Sequence, residues 1–572
     1  MRSDLFNFIL KFELDPFSSS KTIIKKEKES IYKTSDAKKI YNKVIEKLSR
    51  DFIFKETDNL WNYFDFLDNF EVIKERQKFF KSLEKRDNSY LRKLKKPRQT
   101  WDPKYDVVVI TEDENTFVEL QKLNCPVQLI VNDNDLSGLE KYDLIQVIDC
   151  EMYGSVLERL PQCIFIDDIN NIYLERYLEE LSCFSENYDI LLKNNVSSDI
   201  KEILEKLKPL FDLIDIKINK SLTIEGVENI VEDINEKINS KIKDMTISGE
   251  SLIKILGEGK MPESFEKIIK EALDESGLNR EIFVFKIPVE IDYNELELEI
   301  KKRDSMQFTN LAEEIKRKAE ELKKIPELIN KLKAHLILED FCLGLSSYLD
   351  NKKIYPTYSE NFHMSSSENL FLSNPQPIDF QLDNFSKCSI LTGANSGGKT
   401  TLLEHIIQNI SLFYLGLPIS GEIHMPLFSD VYYFAKNKGS TNKGAFENLL
   451  TQMSKIKAGK KTLILADEIE AVTEPGVAGK IIAATCEYFI NLDSYLVIAT
   501  HLGYEIQTCL PKKARIDGIE AKGLDNEFNL IVDHNPVIGR LAHSTPELIV
   551  EKMSKTFNEE YFKFLNEKIK SS

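Results

Sequence analysis

Apolar positions change period several times along the chain, and each change marks a different kind of element. In the first hundred residues they recur at helical spacing. After Thr34-Ser35-Asp36, an N-cap signal, Ile40, Val44 and Leu48 fall four residues apart with lysines on the outer face. Aromatics cluster over residues 61–70, as at a helix–helix contact. Short apolar runs at 106–111, 127–131, 144–148 and 164–166 then alternate with polar or helical stretches. That alternation predicts a small α/β domain with a mostly parallel sheet. Helical spacing resumes at 200–207, 227–244, 263–273 and 311–324, interrupted by one predicted strand at 281–287. Pro326 is expected to break or kink the last helix. Buried strands are predicted at 388–391, 462–465 and 494–499, with a helix at 401–415. The pattern is that of an α/β, multidomain chain. Its expected segments are 1–98 (mostly helical with a basic end), 99–195 (small α/β), 196–345 (helical core or lever) and 346–572 (C-terminal domain).

Composition narrows the class. No apolar run approaches the roughly 20 residues of a membrane span, and Met1-Arg2-Ser3-Asp4-Leu5-Phe6 has no signal-like apolar stretch. Eight cysteines are scattered without a C-x-x-C pair, which favours reduced thiols over disulfides or zinc and implies a cytoplasmic location. The net charge of −18 excludes a uniformly basic nucleic-acid binder but not a local basic face. Residues 74–104 hold twelve Lys or Arg against four acids, including Arg92-Lys93-Leu94-Lys95-Lys96-Pro97-Arg98 with Tyr90 and Trp101 nearby. They read either as a solvated helix end or as a phosphate-contacting patch. Asp149, Asp167 and Asp168, at predicted strand ends, read as caps or as a nuclease metal site.

The candidate chemistry lies in the C-terminal domain. Gly393-Ala394-Asn395-Ser396-Gly397-Gly398-Lys399-Thr400 fits G-x-x-x-x-G-K-[ST] between a predicted strand and a helix that begins near Thr401. Such a loop wraps phosphates with backbone N–H groups at a helix N-terminus. Lys399 is placed to reach the β and γ phosphates, and the Thr400 hydroxyl to hold Mg2+. Further on, Leu463-Ile464-Leu465-Ala466 ends in Asp467-Glu468. There the first carboxylate suits the metal ion and the second suits accepting a proton from water. A third strand ends in Ala499-Thr500-His501, where His501 is expected to reach nucleotide or water.

These motifs resemble the ATPase module of the MutS family, within the ABC-type branch of P-loop ATPases. The loop is similar to that family's Gly-Pro-Asn-x-Gly-Gly-Lys-Ser, and Asp467-Glu468-Ile469 with Thr473-Glu474-Pro475 and Gly479 resembles its acidic pair and following loop. Leu370-Phe371-Leu372-Ser373-Asn374-Pro375 resembles the upstream segment, so the resemblance implies that Phe371 stacks on adenine. It also implies ATP and Mg2+ as cofactors, a homodimer joined by C-terminal helices, and no membrane. Two departures stand out. The signature that completes the partner's site has a Ser-Thr-Phe core, and here Lys443-Gly444-Ala445-Phe446 lacks the hydroxyl unless Ser440 or Thr441 replaces it. Phe54-Lys55-Glu56 has the spacing of a mismatch-reading wedge but falls in a helical stretch.

The chain most resembles the archaeal second MutS subfamily of DNA-binding ATPases, without a mismatch-reading or Smr nuclease module. The expected function is ATP hydrolysis coupled to non-specific or structure-specific DNA binding. The alternatives are mismatch recognition in DNA repair and an ABC-type ATPase unrelated to DNA.

Overall fold

The apolar runs of the C-terminal third line up as one sheet. Its strands lie in the order Asp430–Phe434, Thr462–Asp467, Tyr495–Ala499, Cys388–Gly393, Ala514–Leu524 and Leu530–Val537. The first five are parallel, and the last pairs antiparallel with Ala514–Leu524. Central parallel strands are covered on both faces, so Cys388–Gly393, Thr462–Asp467 and Tyr495–Ala499 are buried throughout. Leu391, Leu463, Leu465 and Val497 join the core that holds the helix Lys399–Leu415. Ile390, Ile464, Ala466 and Ile498 join a second core with the helix Pro475–Asn491. The structure, a computed structural model, describes residues 1–24, 30–66, 68–97, 105–214, 222–243, 261–351, 354–393, 397–436, 443–468, 474–524, 530–542, 546–557 and 559–571.

Two compact units result: residues 1–93 together with 331–572, and residues 94–330. This differs from the four consecutive segments expected from the sequence, and the reason is a shared core. Leu5, Ile9, Val44 and Trp61 of the N-terminal region pack in one cluster with Ile406, Ile410 and Phe413 of the helix Lys399–Leu415. Val431 exchanges backbone hydrogen bonds with Ile31 (2.8 Å) and Lys33 (3.0 Å), while the Tyr32 hydroxyl meets Ser411 Oγ at 2.6 Å. The N-terminal residues are thus a wall of the C-terminal domain. Phe54 and Glu56 lie inside this wall, with Glu56 accepting from Thr22 N (2.7 Å) and Asn59 Nδ2 (2.6 Å). A wedge needs exposed side chains, and these two are buried.

In the second unit the predicted parallel sheet is present, in the order Val127–Leu129, Val107–Thr111, Leu144–Val147, Cys163–Phe165. The strand-end acids act locally: Asp149 accepts from Thr116 Oγ1 at 2.7 Å, and Asp168 caps the next turn through Asn170 N at 2.8 Å. Among the described residues no group of three or more His, Cys, Asp or Glu is placed to hold a metal. The strand predicted at 281–287 shrinks to Phe283–Val284, paired with Glu290–Ile291. It completes a small core with Val227, Ile234, Ile269 and Leu273. Leu311 belongs to the helix Tyr293–Arg317, and the chain becomes helical again at Ile325–Gly344. Pro326 falls in that helix's first turn, where its missing N–H costs no bond.

Candidate nucleotide site

The strand Cys388–Gly393 ends in a position only glycine fits. Gly393 has φ +127°, and a Cβ there would stand 2.2 Å from the Ile519 carbonyl oxygen. Gly398, at φ +90°, is the N-cap of the helix Lys399–Leu415, with room for a Cβ only 3.0 Å from His534 Nδ1. Ala394, Asn395 and Ser396, which complete the motif, lie outside the described residues. Gly397 and Gly398 turn the chain into the helix, whose first N–H groups have no carbonyl partner within it. Lys399 is 3% exposed, and its Nζ donates to the Gly393 carbonyl at 2.6 Å. Thr401 follows, half-buried, in the first turn.

The parallel pairing brings three strand ends beside this loop. Thr400 Oγ1 donates to Asp467 Oδ2 at 2.6 Å. Asp467 is 2% exposed, and among the described residues its Oδ1 has no hydrogen-bond partner. Burial pushes its carboxyl above the ordinary value, and the Thr400 hydroxyl partly offsets this. A buried carboxylate with an unsatisfied oxygen, next to a hydroxyl, is an all-oxygen donor set. It fits a hard cation such as Mg2+.

Glu468 is the first residue beyond its strand. It adopts φ +47°, and its N–H donates to Ala499 O at 2.9 Å. His501 Nε2 donates to Glu468 Oε1 at 3.0 Å, and Lys436 Nζ pairs with Oε2. A carboxylate only accepts, so His501 carries its proton on Nε2 in this contact. Burial alone would raise the Glu468 pKa; the hydrogen bonds from Lys436 and His501 outweigh it and hold the group below its ordinary value. Thr500 N–H donates to Leu391 O at 3.0 Å, fixing His501 at the edge of the site.

Lys399, Thr400, Asp467, Glu468 and His501 are therefore assembled around one loop. Phe371 packs partly buried against the shared core and lines a cleft of about 810 Å³ whose other walls come from the 42–58 segment, including Lys43, Lys47 and Arg50. Gly444 lies in the helix Lys443–Ser454, while Ser440, Thr441, Ile469 and Thr473 lie outside the described residues. Sequence reading missed Lys436 and His534. Lys436 belongs to no motif, and only the pairing of Asp430–Phe434 with Thr462–Asp467 carries it to Glu468. His534 comes from the antiparallel edge strand, and its Nδ1–H donates to Gly397 O at 2.8 Å.

No family model matches the chain. It is 30% identical over 570 residues to the DNA-binding protein MutS2 of Pyrococcus furiosus, an alignment covering 91% of this chain and 96% of that protein. The chain belongs to the MutS2 family. This MutS2 chain is also 21% identical over 425 residues to an endonuclease MutS2 of Caldanaerobacter subterraneus, covering 69% of this chain and 52% of that one. It therefore spans about half that relative's length. The MutS protein homolog him-14 of Caenorhabditis elegans shares 29% identity over 175 residues, 28% of this chain and 20% of its own. The Pyrococcus alignment extends well beyond the C-terminal motifs, since it covers 91% of this chain.

Proposed function

We propose that this MutS2 chain is a DNA-binding ATPase that couples Mg2+-dependent ATP hydrolysis to its hold on DNA. The observation that carries the enzymatic half is the Thr400–Asp467 contact at 2.6 Å, with an unsatisfied Asp467 oxygen, beside the Glu468–His501 pair. Lys399 binds the β and γ phosphates as a point charge, with the loop N–H groups and the helix dipole favouring the same anion. Thr400 and Asp467 hold Mg2+, which when bound neutralises phosphate charge. Glu468 accepts the proton of the attacking water, and His501 orients Glu468. Phe371 stacks on the adenine. A second copy completes the site with the segment around Gly444, so the working unit is a homodimer. Its place is the cytoplasm. Support for DNA as partner comes from the Pyrococcus relative's name and from the cations at residues 92–96.

Two variants test the division of roles. Lys399→Ala is expected to abolish nucleotide binding, read with a fluorescent ATP analogue. Glu468→Gln is expected to keep binding while slowing turnover roughly 10²–10⁴-fold, the contribution of a general base. Equal loss of binding in both would refute the assignment. A gel-shift series over duplex, mismatch, fork and junction, with and without ATP, identifies the DNA preference. Selective retention of the mismatch would favour the repair alternative.

A further inference from the structure

Glu468 is the base in the proposed hydrolysis, and the following inference rests on that reading. Both of its carboxylate oxygens already accept a donor: Lys436 Nζ on Oε2 and His501 Nε2, at 3.0 Å, on Oε1. The backbone offers little freedom to turn away, because Glu468 sits at φ +47° with its N–H tied to Ala499 O. A non-glycine residue stays in that region only when its surroundings hold it there. A general base must bring an oxygen within hydrogen-bond reach of the water it deprotonates. Each oxygen keeps another acceptor position, but the two donors fix the carboxylate in one orientation, and turning it towards a water means releasing one of them.

The donors differ in how easily they leave. His501 follows a strand hydrogen-bonded into the sheet centre, through Thr500 N–H to Leu391 O. Lys436 follows the strand Asp430–Phe434 at the sheet edge, and its side chain is 49% exposed. An ammonium on a four-carbon stem moves at small cost.

We propose that Lys436 is a restraining residue of the hydrolytic step: its ammonium holds Glu468 in an unproductive orientation, and hydrolysis proceeds once the ammonium leaves Oε2. It acts through Glu468, as a positioning residue. Lys436 thereby sets the idle rate of the enzyme, because the fraction of time the pair is open limits how often water can be placed.

The test compares wild type, Lys436→Met, Lys436→Gln, Lys436→Arg, Glu468→Gln and the Lys436→Met/Glu468→Gln double variant. The readouts are the single-turnover hydrolysis rate and the KM for ATP. Both neutral substitutions at this half-exposed position are expected to raise the single-turnover rate about two- to fivefold, the scale of a half-exposed ion pair, with KM unchanged. Lys436→Arg should restore the wild-type rate, and the double variant should be as slow as Glu468→Gln. A lower rate in Lys436→Met or a raised KM overturns the proposal, because Lys436 would then assist chemistry or bind phosphate. An unchanged rate overturns it too. If Glu468→Gln itself hydrolyses ATP at the wild-type rate, the base assignment fails, and the restraint with it. If Glu468→Gln is slow and Lys436→Met is no faster than wild type, only the restraint fails.

Discussion

Asp340 shows what a buried carboxylate does away from the site. It accepts from Ile53 N (3.0 Å), Phe54 N (3.0 Å) and Thr57 Oγ1 (2.6 Å), anchoring the start of the 3-10 helix Lys55–Tyr63. Burial pushes its pKa up to about 6, against the lowering effect of those three bonds. The folded state therefore holds the proton more tightly than the unfolded chain, whose carboxyl titrates near 3.8. The resulting stabilisation is complete below that value and is lost as pH rises through about 6. Wild type should accordingly lose about 1–3 kcal/mol relative to Asp340→Asn between roughly pH 4 and 7, and no more above that. Denaturant melts of both proteins across this range would check it, and a constant difference would contradict it. At this scale the site was largely legible in the sequence. Lys399, Thr400, Asp467 and Glu468 each sit next to a strand or helix end that the apolar pattern marks. Lys436 carries no such mark.

The helix Lys399–Leu415 shows how an element is held at both ends. It begins at Gly398 and ends at Gly416, φ +78°, where a Cβ would meet Arg76 Cβ at 2.4 Å. Arg76 reaches over this end, donating through Nη1 to Tyr414 O at 2.5 Å and through Nη2 to Asp65 O at 2.8 Å. A cation at the C-terminal carbonyls also suits the helix dipole. Gly416→Ala is expected to cost about 1–3 kcal/mol from backbone strain and crowding. Arg76→Ala is expected to cost about 1.5–3 kcal/mol from its charged hydrogen bonds. The costs should fall short of additive in the double variant, because both act on one contact; urea unfolding reads all three. The basic segment thus divides by role. Arg76, Lys81 (over the Tyr355 ring at 4.5 Å), Lys85 (on Asp350) and Arg86 (on Glu339) have partners in the fold. Arg92, Lys93, Lys95 and Lys96 are exposed, Lys95 with its Nζ on Glu186 at 3.1 Å, and Arg98 lies outside the described residues.

On the scale of the whole molecule, a net charge of −18 repels DNA at a distance, so affinity has to come from a concentrated patch. Neutralising Arg92, Lys93, Lys95, Lys96 and Arg98 together should weaken DNA binding with little effect on basal ATP hydrolysis. Each lost phosphate contact should flatten the log–log salt slope by about 0.9 on duplex. An unchanged slope in a fluorescence-anisotropy titration would place the contacts elsewhere, in the helical part of residues 196–345. Assembly makes a separate prediction. If a partner's segment completes the site, specific ATPase activity should rise with protein concentration through the monomer–dimer transition. Full activity at concentrations where sedimentation shows only monomer would rule this out.

The sequence by itself determined the α/β class, the glycine-rich turn between strand and helix, the acidic pair after its strand and the place of His501 at a strand end. Each is a local signal: a run of buried residues, a glycine where no side chain fits, or a polar group at a strand end. The parallel sheet of the second unit was legible for the same reason. Contacts between distant segments were decided only by the tertiary structure. Residues 1–98 look like a separate helical domain because amphipathic helices show which face is buried but not against what. The fold lays that face on the helix Lys399–Leu415, joining Tyr32 to Ser411 and Arg76 to Tyr414. The run at 281–287 forms only the short strand Phe283–Val284, because a short apolar run serves a small helical core as well as it serves a sheet. Lys436 meets Glu468 only because their strands pair, and strand order is set by packing and crossover geometry that no local pattern encodes.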